Sequence, residues 1–283
     1  MRPPREEARR PVVCVDLDRT VIYSAAALAL DMPDADAPRL LCVELYRNAP
    51  LSFMTEDAAV LLERLQAVAT VVPTTTRTPE QLARVHLPGP PARYAIASNG
   101  GHLLVDGVPD AAWSATVRSR LTDCAPPADV EARMRDNGGD FVLNQRVASD
   151  LFAYAVVDRA ALPDGWVDEL TVWCDPRGWT VSLQGRKVYA VPRPLTKSAA
   201  AAEVRDRCGV GPVLAAGDSL LDADLLAFAD AAIRPAHGEL ADSGFALDHL
   251  AVTTATGVRA GAELLGWLHD HAAAASLSVS GSL

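Results

Sequence analysis

The sequence is short of positive charge and of aromatic side chains, and each shortage argues against a class of partner. Lysine and arginine number 26 against 36 aspartates and glutamates, which gives a formal net charge of -10. That balance, with only 5% aromatic residues, argues against nucleic acid or an anionic membrane as the partner. A small anionic substrate is still compatible with an acidic chain, because a pocket can be locally positive.

Cysteine is also scarce, and long apolar runs are missing. The five cysteines are widely separated and include no CxxC pair, so the sequence predicts neither a disulfide framework nor a zinc site. No apolar run is long enough to span a bilayer. Residues 1–11 are charged and proline-rich without the apolar core of a signal peptide, and we interpret them as a flexible arm. We expect a cytoplasmic protein that is a monomer or a homodimer.

A short apolar run, Val12–Val15, leads into two carboxylates, Asp16 and Asp18. Residues two apart on a strand point to the same face. Because open α/β sheets bind ligands beyond the carboxyl ends of their strands, this pair predicts a polar site at the end of the first strand. Two carboxylates there can hold a divalent cation, or divide the roles of nucleophile and acid/base between them.

Three further polar groups stand at predicted strand or helix ends. Thr75 follows a second strand and can donate to a phosphoryl oxygen, although the neighbouring threonines offer the same group. Lys197 opens an alanine-rich helix, and since a helix N-terminus favours anions, a negative partner is expected there. Asp218 and Asp222 follow an apolar strand and share a helix face, but a helix cap and a solvated face would explain them equally well.

Local signals for helices and turns are clear at three places. Thr55, followed by two acids, predicts a helix N-terminus, and Thr78 before a proline predicts another. Asp106-Gly107 predicts a hairpin turn. The stretch Arg39–Tyr46 fits either a helix or a strand.

In order, the chain reads DLDRT after the first strand, TTR after the second, LTK before a helix and GDSLLD after a late strand. This order resembles the four motifs of the haloacid dehalogenase (HAD) phosphatase superfamily. The insert between the second and third motifs, and the segment Ser98-Asn99-Gly100, resemble the type IIB cap branch of Cof-like and sugar-phosphate phosphatases. The resemblance covers Val12 to about Leu268, although only the motifs are specific.

The resemblance implies an α/β fold with a Rossmann-like HAD core, built on a parallel sheet, and an inserted α+β cap domain. We predict a discontinuous core of residues 12–109 and 190–270, a cap of residues 110–189 and a disordered tail of residues 271–283. Between 110 and 189 helices followed by paired strands occur twice over, which interrupts the alternation of strands and helices. An insert across the mouth of a sheet is expected to act as a lid.

The resemblance also implies a role for each motif residue. Asp16 is implied as the nucleophile, and Asp18 as the acid/base. Thr75 and Lys197 are implied to hold the phosphoryl group. The implied Mg²⁺ ligands are Asp16, Asp18 through its backbone carbonyl, Asp218 and Asp222.

Three positions depart from the family pattern. Arg19 and Thr76 stand where glycine is usual, and Leu221 stands where asparagine is frequent. Since no core position is lost, we expect catalytic competence. The candidate substrate-binding residues, which lie beside the motifs or near the strand turns of the insert, are Arg19, Thr76, Arg77, Asn99, Arg146, Arg186 and Lys187.

The sequence therefore favours a Mg²⁺-dependent phosphohydrolase that cleaves a small soluble phosphomonoester, sugar-like or nucleotide-like, through an aspartyl-phosphate. Two alternatives on the same scaffold stay open, namely a phosphomutase and a non-catalytic regulatory protein that binds a phosphate ester. A metal-dependent glycosyltransferase would use the DxD motif but would leave Lys197 and GDSLLD unexplained.

Overall fold

The computed structural model of the protein describes residues 10–280, with side chains to residue 276. Most of the predicted flexible arm, residues 1–9, lies outside the described residues. The chain divides into two compact units: the first ends its opening segment at Pro109 and resumes at Lys197, and the second spans Asp110–Thr196. No helix between residues 10 and 280 has both the length and the apolarity that a bilayer crossing requires.

The elements of the described chain alternate between short strands and helices. The strands are β1 (Val12–Val15), β2 (Tyr23–Ser24), β3 (Leu40–Tyr46), β4 (Ala49–Thr55), β5 (Thr70–Pro73), β6 (Tyr94–Ala97), β7 (His102–Val105), β8 (Val108–Pro109), β9 (Val142–Ala148), β10 (Phe152–Val157), β11 (Trp179–Gln184), β12 (Lys187–Pro192), β13 (Val213–Ala216), β14 (Ala231–Arg234) and β15 (Leu250–Val252). The helices are α1 (Glu56–Val68), α2 (Pro79–Leu82), α3 (Ala111–Arg120), α4 (Pro127–Asp136), α5 (Trp166–Cys174), α6 (Lys197–Cys208), α7 (Ala223–Phe228), α8 (Glu239–Asp242) and α9 (Val258–Ser280).

The first unit is built on a five-stranded parallel sheet with the order β15-β14-β13-β1-β5. Val12 of β1 pairs with Val213 on one side and with Thr70 on the other, so β1 lies inside the sheet. Its four residues are all apolar and buried, as expected of a strand covered on both faces. The carboxyl ends of β5, β1 and β13 therefore lie side by side.

Helices α1 and α9 pack against each other and against one face of this sheet. Leu62 and Leu65 of α1 meet Leu264 and Leu268 of α9 in a cluster that also includes Val13 and other apolar residues of the sheet. Two small antiparallel sheets complete the unit, with the orders β2-β4-β3 and β6-β7-β8. The first of them brings β3 and β4 into the same core through Val43 and Met54.

The local predictions for the first unit are confirmed, and the undecided stretch is settled. Thr55 accepts a hydrogen bond from the Ala58 amide at the start of α1, and Thr78 forms a capping box at the start of α2. Asp106-Gly107 joins β7 to β8 in an antiparallel pair. Leu40–Tyr46 is a strand because it pairs along its whole length with β4, a partner that sequence patterning alone does not reveal.

The prediction of a disordered tail is wrong for residues 271–280. Helix α9 continues through them to Ser280, and Ala272 is fully buried in the core cluster. The physical reason is that alanine has the highest helix propensity, so an alanine-rich end prolongs a helix that packing has already nucleated. Residues 281–283 lie outside the described residues.

The second unit is an α+β arrangement. Its antiparallel sheet has the order β11-β12-β10-β9, and α3, α4 and α5 belong to the same unit. The two predicted strand pairs are confirmed as β9 with β10 and β11 with β12. The predicted fold class, a parallel-sheet core with an α+β insert, is thus the one observed.

Candidate active site

Three buried aspartates converge at the carboxyl edge of the parallel sheet. Asp16 follows β1, Asp218 follows β13, and Asp222 lies in the short 3₁₀ turn Leu220–Asp222 before α7. Each offers one carboxylate oxygen, and these oxygens all lie within 4.8 Å of one another. A set of three carboxylate oxygens fits a hard cation such as Mg²⁺, which prefers oxygen ligands.

Two glycines make room for this cluster. A Cβ atom on Gly217 would lie 2.4 Å from Cγ of Asp222, closer than any side chain tolerates. Gly238 has φ +93° and packs against Asp218, where a Cβ atom would lie 2.7 Å from a carboxylate oxygen. The close approach of the aspartates therefore depends on these two backbone positions.

Lys197 supplies the positive partner that its place in the helix predicts. The side chain is completely buried, and Nζ donates to Oδ1 of Asp16 at 2.7 Å and to Oδ1 of Asp222 at 2.5 Å. Asp224 accepts a hydrogen bond from the Ser198 amide at 2.8 Å and so ties the start of α6 to α7. The lysine is thus fixed between two of the three carboxylates.

The second oxygens of the paired aspartates are also held. Thr20 Oγ1 donates to Oδ2 of Asp16 at 3.1 Å. The amide and the hydroxyl of Ser219 both donate to Oδ2 of Asp222, at 3.0 and 2.8 Å. Thr20 and Ser219 lie inside the quoted motifs, but the sequence alone assigned them no role.

Burial dominates the electrostatics of the cluster. It raises the pKa of Asp16 to about 7, helped by the charges of Asp222 and Asp18 and opposed by Lys197. The pKa of Asp218 is raised well above its usual range by burial, with further contributions from Asp16 and Asp222. Burial acts to lower the pKa of Lys197, but the two adjacent carboxylates outweigh it and raise that pKa. The cluster concentrates negative charge that a divalent cation would neutralise.

Thr75 is fully buried at the end of β5, next to β1 in the sheet. Its hydroxyl oxygen accepts a hydrogen bond from the Arg77 amide, and its carbonyl oxygen accepts one from the Asn99 amide at 3.0 Å. Asn99 is buried with φ 56°, a left-handed conformation that asparagine tolerates. Thr76 is half-buried in the turn that follows.

Asp18 lies apart from the three-aspartate cluster and contacts Arg77. The Arg77 guanidinium donates from Nε to Oδ2 at 2.8 Å and from Nη2 to Oδ1 at 2.7 Å, a bidentate pair. Its Nη1 donates to Glu44 at 2.8 Å. Glu44 went unnoticed in the sequence, although a carboxylate inside the apolar run LLCVELY was a signal.

Arg19 has φ 62°, the left-handed conformation for which the family's usual glycine is suited. His237 Nε2 lies 2.9 Å from the Arg19 carbonyl oxygen, and the Gly257 amide donates to His237 Nδ1. With Nδ1 accepting, Nε2 carries the proton and donates to Arg19. The half-exposed side chain of Arg19 has its Nε 3.7 Å from Oδ2 of Asp218.

The three candidates of the second unit lie on its antiparallel sheet, and all three are exposed. Arg146 pairs with Tyr154, which pairs in turn with Tyr189, so these side chains share one face of the sheet. Lys187 is two residues before Tyr189 and has its Nζ 5.7 Å from the centre of the Tyr154 ring. Arg186 lies in the turn between β11 and β12. Their substrate-binding role stays a prediction.

Comparison with known proteins gives no sequence match but a clear structural one. No family model and no curated protein matches the chain. The sucrose-phosphatase of Synechocystis sp. PCC6803, solved with sucrose and phosphate, matches with a TM-score of 0.61 at 16% identity, over 92% of this chain and 98% of that one. The C-terminal domain of trehalose-6-phosphate phosphatase from C. albicans matches with a TM-score of 0.55 at 13% identity, over 94% and 93% of the two chains.

A sugar phosphatase of HAD subclass IIB matches with a TM-score of 0.55 at 11% identity, over 92% of this chain and 98% of that one. The chain therefore has the fold of the HAD phosphatases, with core and cap both covered. The predicted resemblance to this superfamily is confirmed at the level of the fold.

Proposed function

We propose that the chain is a Mg²⁺-dependent phosphohydrolase that cleaves a small phosphomonoester through an aspartyl-phosphate on Asp16. The observation that carries the proposal is the convergence of Asp16, Lys197, Asp218 and Asp222 at the carboxyl edge of the parallel sheet. These residues come from distant parts of the sequence and are fixed by short hydrogen bonds. A cap and a solvated helix face, the bland explanation of the two late aspartates, would not bury them against Asp16.

The residues divide the chemistry as follows. A carboxylate oxygen of Asp16 attacks phosphorus, and Asp18 protonates the leaving oxygen. Thr75 and Lys197 hold the phosphoryl oxygens, Lys197 being already fixed beside the nucleophile. Asp18 then takes a proton from the water that cleaves the aspartyl-phosphate.

The cation would be held by carboxylate oxygens of Asp16, Asp218 and Asp222, with the backbone carbonyl of Asp18 as the further ligand that the resemblance implies. The donor set consists of buried hard oxygen ligands, and it therefore fits Mg²⁺. When bound, the ion would offset negative charge on the phosphoryl oxygens.

The substrate class that we propose is a sugar phosphate or a similarly small phosphate ester. Sucrose-phosphatase, trehalose-6-phosphate phosphatase and a subclass IIB sugar phosphatase share the fold, which supports this class for the present chain. Arg146, Arg186 and Lys187 are the cations that we propose for contacts with the substrate. A cytoplasmic location stays part of the proposal.

The test is phosphate release from a panel of sugar phosphates, measured with Mg²⁺ and with EDTA. We expect turnover only with Mg²⁺, and loss of more than about 10³-fold in Asp16→Asn, which keeps the size of the side chain but removes the nucleophile. Asp57→Asn, an exposed position on α1, is the matched control and should turn over normally.

Two outcomes would redirect the assignment. Formation of an isomeric sugar phosphate without release of inorganic phosphate would indicate a phosphomutase. Saturable binding of phosphate esters with no turnover in Mg²⁺ would indicate a binding protein. Full turnover by Asp16→Asn would refute the aspartyl-phosphate mechanism.

A further inference from the structure

Glu44 is a buried carboxylate that the proposed chemistry does not yet use. Its side chain has no exposed surface and accepts hydrogen bonds from three side chains: Ser52 at 2.6 Å, Arg77 at 2.8 Å and Arg84 at 3.2 Å. Burial would raise the pKa of Glu44, but the hydrogen bonds from Ser52 and Arg77 outweigh it and lower that pKa. A buried ion pair is weak evidence for a stabilising role, because apolar replacements are often as stable.

Arg77 connects this carboxylate to Asp18. One nitrogen, Nη1, is held by Glu44, while Nε and Nη2 hold the two oxygens of Asp18. A guanidinium is rigid and planar, so fixing one nitrogen on Glu44 sets the direction in which the other two point. The Arg77 side chain is 12% exposed, whereas that of Asp18 is 52% exposed and open to a reacting group.

The β3–β4 pair supplies the rigid support. Glu44 lies on β3 and Ser52 on β4, and the two residues are paired across the antiparallel ladder. Ser52 Oγ also lies 3.4 Å from Nη2 of Arg77. The arginine is thus held by a strand pair that belongs to the core and not by a surface loop.

We infer that Glu44 is a positioning residue for the proposed phosphoryl transfer: it fixes Arg77 so that Arg77 keeps the carboxyl group of Asp18 directed at the reaction. The inference rests on the proposed function. In the first step a carboxylate oxygen of Asp16 bonds to phosphorus, and the ester P–O bond breaks with its electron pair on the leaving oxygen. That oxygen takes the proton of the Asp18 carboxyl group, which leaves Asp18 as the carboxylate that Arg77 binds.

The effect should depend on the leaving group. 4-Nitrophenolate departs as a stable anion and needs little protonation, whereas phenolate is far more basic and depends on the acid. The experiment measures kcat/KM for 4-nitrophenyl phosphate and phenyl phosphate with Mg²⁺, because kcat/KM reports the steps up to departure of the leaving group. Both values come from one enzyme sample, so their ratio is independent of the fraction that folds.

In Glu44→Gln we expect this ratio, nitrophenyl over phenyl, to rise about ten-fold, a part of the ~10²–10⁴-fold that general acid catalysis supplies. Ser52→Ala, which removes one hydrogen bond but no charge, should shift the ratio in the same direction by less. Glu263→Gln is the matched control, since that carboxylate accepts hydrogen bonds only from Thr254 and Ala255 among the described residues. Its ratio should stay at the wild-type value.

A double-mutant cycle shows whether Glu44 acts through Asp18. In the Asp18→Asn background, Glu44→Gln should leave the ratio unchanged, because no acid remains to be positioned. An equal loss of kcat/KM for both substrates in Glu44→Gln would overturn the inference and leave Glu44 a purely structural residue. A wild-type protein that hydrolyses neither ester would instead refute the proposed function, and the inference with it.

Discussion

Replacement of Lys197 by methionine tests whether this lysine offsets the charge of the buried carboxylates. The substitution keeps an unbranched side chain of similar length and removes only the ammonium group. In the structure that group donates to Asp16 at 2.7 Å and to Asp222 at 2.5 Å, and its side chain has no exposed surface. Removing one partner of a buried ion pair costs about 3–5 kcal/mol, because the remaining charge is left uncompensated.

We therefore expect Lys197→Met to lose about 3 kcal/mol or more of unfolding free energy in EDTA at pH 7.5. The assay is urea unfolding followed by circular dichroism, which compares midpoints at equal slopes. Mg²⁺ should restore more stability to the variant than it adds to the wild type. The three carboxylates with Lys197 carry a formal charge of −2, which one Mg²⁺ balances, and without the lysine they carry −3.

Two results would contradict this reasoning. A variant as stable as the wild type in EDTA would mean that Lys197 does not compensate the cluster. An equal gain from Mg²⁺ in both proteins would mean that the cation does not bind at these carboxylates. The control is Lys187→Met, the same change at an exposed position of the second unit, which should move neither quantity.

Three further changes probe the same site. Arg19→Gly should tighten Mg²⁺ binding by calorimetry about two- to five-fold, the range of an exposed ion pair, because the guanidinium 3.7 Å from Asp218 competes with the cation; unchanged affinity would exclude this competition. Gly217→Ala should cost about 1–3 kcal/mol and weaken Mg²⁺ binding, since its Cβ would lie 2.4 Å from Asp222, and a neutral result in thermal unfolding would contradict the packing argument. Glu44→Gln should be less stable than the wild type at pH 7. The folded pKa of Glu44 is lower than its ordinary value of 4.5, so its contribution is present above pH 4.5 and is lost as pH falls through the folded pKa. Urea midpoints should therefore converge in acid, and a constant difference would contradict the linkage.

The sequence predicted those parts of the fold and site that depend on local chemistry. Short apolar strands, the caps at Thr55 and Thr78 and the Asp106 turn are written in neighbouring residues, and the structure contains all of them. The order of four motifs was sufficient to predict which strand ends would meet. Asp16, Lys197 and Asp222 do meet, within hydrogen-bonding distance of one another through the lysine.

The parts that the sequence did not predict depend on contacts between distant residues. Leu40–Tyr46 becomes a strand through its pairing with β4, and Glu44 acquires its importance from Arg77, 33 positions later in the chain. Helix α9 extends to Ser280 because Ala272 finds a buried place in a core formed by other elements. In each case the decisive partner lies far away along the chain, where neither periodicity nor spacing can identify it.

The position of β1 inside the parallel sheet has a consequence for biosynthesis. One neighbour of β1, the strand β5, is synthesised soon after it, but the other, β13, follows only after the whole second unit. At ~5–20 residues per second, the ribosome reaches Asp218 on the order of 10–40 s after Asp16. Throughout that interval the growing chain contains the nucleophile without its companion carboxylates. The metal site is therefore among the last features of the first unit to form, and a nascent chain that ends before Asp222 cannot bind a cation there.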